Sequence, residues 1–105
     1  MKNIILVSTK RSYEEEGKAK VHESWAIARK KLPYLKYIVN DNGWEAKPGD
    51  RPRKAWKILD YGSSSYNPKE WSFKIEPIED VELHRKVVGA TLGSHPNSGV
   101  VYFNL

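Results

Sequence analysis

The sequence contains no cysteine. This excludes disulfides, thiolate zinc sites and a cysteine nucleophile, and it fits a reducing compartment. Long apolar runs are missing too. The strongest, Ile4-Ile5-Leu6-Val7, is too short for the core of a signal peptide or a membrane span. No Asn-x-Ser/Thr sequon occurs. These absences together lead us to expect a cytoplasmic protein with no membrane partner. Histidine is scarce, with His22, His84 and His95 the three present. They lack metal-ligand spacing, and no H-E-x-x-H pattern is found, so neither a metal nor a cofactor is expected.

What remains is a chain of 105 residues, the size of one domain spanning 1–105. Aromatic residues are plentiful: four Trp, six Tyr and two Phe. Each buries about 150–250 Å², so they are natural core material where Leu and Val are few. The net charge of +5 is unevenly spread. Residues 1–57 hold 14 Lys/Arg against 7 Asp/Glu, whereas residues 58–105 hold 4 against 6. Such asymmetry points to one basic region and a polyanionic partner.

The pattern of residues predicts an α+β fold. Ile4–Val7 reads as a strand buried on both faces. Ser12 and the following glutamates suit a helix start, and Val21, Trp25, Ala28 and Leu32 form one helical stripe. A long helix over about 14–32 is expected, stopped at Leu32 by Pro33. Tyr37–Val39 reads as a strand, Asn42-Gly43 as a hairpin turn and Trp44–Ala46 as a short return strand. Trp56–Tyr61 is strand-like, followed by a Ser-rich turn over Gly62–Pro68. Trp71, Phe73 and Ile75 alternate with Ser72, Lys74 and Glu76, marking a half-buried strand that Pro77 ends. A short second helix is expected over about 80–91, and a last strand over Val100–Leu105. The sum is an antiparallel or mixed sheet of about five strands with the long helix on one face.

Residues 47–57, KPGDRPRKAWK, concentrate five Lys/Arg around two prolines. Over residues 29–57 the basic candidates are Arg29, Lys30, Lys31, Lys36, Lys47, Arg51, Arg53, Lys54 and Lys57. Lys and Arg neutralise phosphates, and exposed aromatics stack on bases. Trp44, Trp56, Tyr61 and Tyr66 are the stacking or interface candidates, although the tryptophans are equally the chain's best core residues. The leading expectation is a small basic protein that binds nucleic acid, RNA or DNA, with weak sequence specificity, since nothing resembles a recognition helix.

Two other readings compete. The chain's aromatics and arginines are also the types enriched at interface hot spots. That favours a protein–protein interaction module, such as a small accessory or inhibitory protein of viral or mobile-element origin docking on a host protein or nucleoprotein complex. A metal-independent ribonuclease would need a general acid or base and a cation near the phosphate, for which His84 and His95 are the candidates. The overall balance leans away from an enzyme.

Overall fold

A computed structural model describes residues 2–8, 26–41, 53–65, 68–93 and 100–105. They form a five-stranded mixed sheet with one α-helix and one short 3₁₀ helix. The strands are β1 (Ile4–Ser8), β2 (Tyr37–Asp41), β3 (Lys54–Ser63), β4 (Trp71–Pro77) and β5 (Val101–Phe103). Their spatial order is β4-β3-β2-β1-β5. β1 and β2 run parallel, with Ile5 opposite Ile38, and the other neighbours are antiparallel.

The apolar run of β1 is buried as its sequence demands, all four residues being fully enclosed. It sits between β2 and β5, so both of its edges are hydrogen-bonded and both of its faces are covered. Ile5 and Val7 point to one face, joining Ile38, Trp56 and Phe73, with Leu32 and Leu35 packed over them. We call this the aromatic face, because Trp71 and Tyr102 also border it. Ile4 and Leu6 point to the other, the helix face, with Val39, Ala55, Ile78 and Val87.

The helix face is covered by α1 (Val81–Ala90), close to the expected 80–91 despite Gly89 and the β-branched residues. Two ends fix it. Asp80 caps the start by accepting the Leu83 N–H at 3.1 Å. At the finish, Gly93 adopts φ 86°, a left-handed conformation that glycine reaches without steric cost. Val87 is the fully buried residue of α1. Burial of tertiary contacts therefore outweighs the few tenths of a kcal/mol that β-branched residues cost in a helix.

The expected helix over 14–32 needs correction within the part that is described. Residues 26–28 are not helical, and Ala28 has extended geometry (φ −62°, ψ 125°). A 3₁₀ helix then spans Arg29–Tyr34 and contains Pro33 instead of stopping before it. Pro33 has no N–H to donate, which forbids a continuing α-helical ladder but is tolerated in a short, tight turn. Lys31 N–H bonds Ala28 O at 2.9 Å, and Leu35 N–H bonds Leu32 O at 3.2 Å. Ile27 and Leu32 reach the core, whereas Ala28, placed on the apolar stripe by its spacing, is exposed. The Asn42-Gly43 hairpin, the Trp44–Ala46 strand and residues 14–25 lie outside the described residues.

β3 is longer than its sequence suggested, running through Gly62 and Ser63 before Ser64 N–H closes the turn on Glu70 O at 2.9 Å. Its register with β4 slips by one between Ile58↔Ile75 and Asp60↔Lys74, which makes Leu59 the extra residue of a bulge. The slip falls where β3 parts from β2, whose last link is Ile58 N–H to Lys36 O at 2.8 Å. Beyond it, β3 and β4 continue together as a two-stranded arm.

Candidate nucleic-acid interface

The basic candidates of residues 29–57 do not converge on one patch. Arg29, Lys30 and Lys31 are exposed on the 3₁₀ helix. Lys36 is exposed just before β2, and its backbone is pinned on both sides. Its N–H donates to Asn3 O at 2.8 Å, and its carbonyl accepts from Ile58. Lys36 stands where β2 begins, at the end of the sheet where β1 also starts, and the 3₁₀ helix carrying Arg29, Lys30 and Lys31 leads into it. Exposed Lys2 precedes β1 at the same end. No Asp or Glu occurs from residue 26 to residue 40. Tyr34, 44% exposed, lies within this basic turn.

Lys31 is the least free of the group. Its ammonium sits 3.9 Å from the centroid of the Tyr102 ring, a cation–π contact. Burial raises the Tyr102 hydroxyl above its ordinary value of 10.0.

The described part of KPGDRPRKAWK is built into the scaffold. Lys54 is opposite Asn40, four residues along β2 from Lys36, or about 13 Å. Its ammonium lies 5.5 Å from the Trp56 ring centroid. Lys57 falls on the opposite sheet face from Lys54 and directly opposite Glu76. Arg53 reaches across to the end of α1, where its guanidinium donates to Thr91 O and, at 3.1 Å, to Thr91 Oγ1. Thr91 Oγ1 in turn donates to Val88 O at 2.8 Å. Arg53 is therefore a clamp on the C-terminal carbonyls of a helix, a position that favours a cation.

Trp56 is completely buried on the aromatic face. It has no ring face to offer a base, and its place among stacking candidates is corrected to a core role. Tyr61 differs: it is 40% exposed on the β3–β4 arm and meets Trp71 edge-to-face, centroids 5.9 Å apart at 79°. His84 lies on α1, half-buried, and its Nε2 accepts the backbone N–H of Ala55 at 3.2 Å. This assigns the ring proton to Nδ1 and commits the basic nitrogen to a strand edge. β4 has already ended at Pro77 there, opposite Trp56, so the histidine takes over a ladder bond. Lys47, Arg51, Trp44, Tyr66 and His95 lie outside the described residues.

Sequence reasoning missed Lys2, Tyr34 and Tyr102. The signal was present for Tyr34, since RKKLPY puts it three residues after the last of three consecutive cations. For Lys2 and Tyr102 it was not, because strand pairing alone brings β1 and β5 to the basic turn. Among the described residues no group of three His, Cys, Asp or Glu could hold a metal ion, and no helix is long and apolar enough to cross a membrane. No protein-family model matches the chain, and no match was found among curated proteins or solved structures.

Proposed function

We propose that this protein binds the phosphate backbone of nucleic acid through Arg29, Lys30, Lys31 and Lys36, with weak sequence specificity. The observation that supports this reading is the run of four exposed cations within residues 29–36, a stretch that contains no Asp or Glu. Like charges held close together repel one another, and a polyanion relieves that repulsion while releasing its own counterions. Base-specific readout finds no support, because α1 is packed on the sheet and carries Glu82 in its first turn.

Fluorescence anisotropy with a labelled oligonucleotide, at about 50 and 200 mM salt, tests the reading. The wild type should bind and weaken by orders of magnitude at the higher salt. The triple variant Arg29→Ala, Lys30→Ala, Lys36→Ala should bind more weakly. Its slope of log affinity against log salt should be shallower by about two to three, one step per lost phosphate contact. No binding at low salt, or an unchanged slope in the variant, would overturn it.

The second reading, a protein-docking module, has one observation in its favour. The arm carries Leu59, 50% exposed, beside Tyr61. Under that reading Leu59→Ala would weaken a captured complex, and salt would matter little.

A further inference from the structure

We infer that the β3–β4 arm is a stacking platform for an unpaired base, which makes the ligand single-stranded. This rests on the phosphate-binding reading above and adds what that reading leaves open.

The geometry begins with the bulge. Along β3, Trp56 and Ile58 face the aromatic side, and a plain alternation would put residue 60 there next. The extra residue at Leu59 shifts the phase, so Tyr61 pairs with Phe73 and Ser63 with Trp71 on that same side. Tyr61 thus shares a face with the 3₁₀ helix, whose Leu32 packs over the aromatic core. It also lies beyond the same end of the sheet. Lys36 bonds Ile58, and Tyr61 follows three residues later, a span of about 10 Å. That distance suits a phosphate held by Lys36 or the 3₁₀ helix and a base laid on the ring.

The Tyr61 ring is held in place. Trp71 meets it edge-to-face, a contact that fixes the ring's orientation and occupies at most one of its two faces. A pre-set ring loses little freedom on binding. The backbone at this point is closed to a rival use. Tyr61 N–H donates to Asp60 Oδ1 at 2.8 Å, so a side chain satisfies the donor where β2 no longer runs alongside. That blunts the strand edge against an added strand and leaves the ring as the group on offer. Bases inside a duplex are stacked on one another and present no free face, so such a platform discriminates by strandedness.

The test compares a labelled single strand of about 12 nucleotides with a duplex of the same length. Tyr61→Ala and Tyr61→Leu should each weaken single-strand binding by about 5- to 100-fold, with duplex binding and the salt slope unchanged. Tyr61→Phe keeps the ring and should bind like wild type. The leucine variant preserves apolar packing, so its loss cannot be ascribed to a disturbed arm. If the wild type binds and the Arg29/Lys30/Lys36 variant weakens it, but the Tyr61 variants leave the single-strand to duplex ratio unchanged, this inference falls and the backbone reading stands. If the wild type binds neither oligonucleotide at low salt, both fall.

Discussion

Strand β3 is two structures in one. Its first half, Lys54–Ile58, has β2 on one side and begins to meet β4 on the other, and there Ala55 and Trp56 are wholly buried. Its second half, Leu59–Ser63, has β4 alone, and every residue in it is exposed. Both halves carry an aromatic residue on the same sheet face. One is sealed in the core and the other stands in solvent. The difference lies in the neighbouring strand: β2 starts at Tyr37, and whatever lies past Lys36 on that side loses its cover. Along β3, residue type alone does not separate the structural ring from the surface one; the extent of β2 alongside does, while Phe73 across from Tyr61 stays buried from the β4 side.

The sharpest way to break this comparison is to truncate each ring. Trp56→Ala should destabilise the fold by about 3–5 kcal/mol, enough to unfold much of a small domain, whereas Tyr61→Ala, which loses part-buried surface and the Trp71 contact, should cost only about 1 kcal/mol. Urea titration of the two variants reads the contrast directly. Equal losses would mean that the Tyr61 ring is as much a part of the core as Trp56.

A smaller effect is expected where the first half of β3 is tied to α1. Arg53→Ala removes the guanidinium bonds to Thr91, and His84→Ala leaves the Ala55 N–H without its acceptor. Each should cost about 1–3 kcal/mol. Because α1 packs on the helix face only, hydrogen exchange should rise in residues 81–90 before it rises in β1. Uniform loss of protection across the sheet would show that α1 is not a separable unit.

The smallest effect concerns Tyr102. Its phenol is raised by burial, so the folded state holds the proton more tightly than the unfolded chain. Stability is therefore full below the ordinary tyrosine value and falls as pH climbs through the raised one. Alkaline denaturation should begin above about pH 10, and Tyr102→Phe should lessen it. An unchanged alkaline profile in that variant would remove Tyr102 from the account.

Much of the sheet is legible in the sequence. The IILV run and the Trp71–Ile75 alternation are local signals with a clear period, and Pro77 ends a strand for a covalent reason. The 3₁₀ helix is not legible, because RKKLPY satisfies helical propensity up to the proline. Packing of Leu32 and Leu35 then decides the outcome. Nor is the bulge at Leu59, which depends on register with β4. The basic residues are visible by composition, yet their division is not. Arg53 and Arg29 look alike in a charge count, and only the approach of Thr91 turns the first into an internal clamp.

The pairing of β1 bears on how the chain assembles. β3 and β4 are joined by a short turn, so they meet quickly and cheaply. β1 must instead find β2 across a long parallel crossover and β5 from the far end of the described chain, and both closures carry loop entropy before they return any contact. The most completely buried strand is thus the last to be seated, and refolding should fall in the millisecond-to-second range typical of non-local sheets. Substitutions such as Leu6→Ala would then speed unfolding and leave the folding rate nearly unchanged, while Phe73→Ala would slow folding, a split that stopped-flow kinetics resolves. The opposite split would place β1 in the nucleus. The same chain that reads first in sequence would, in time, be written in last.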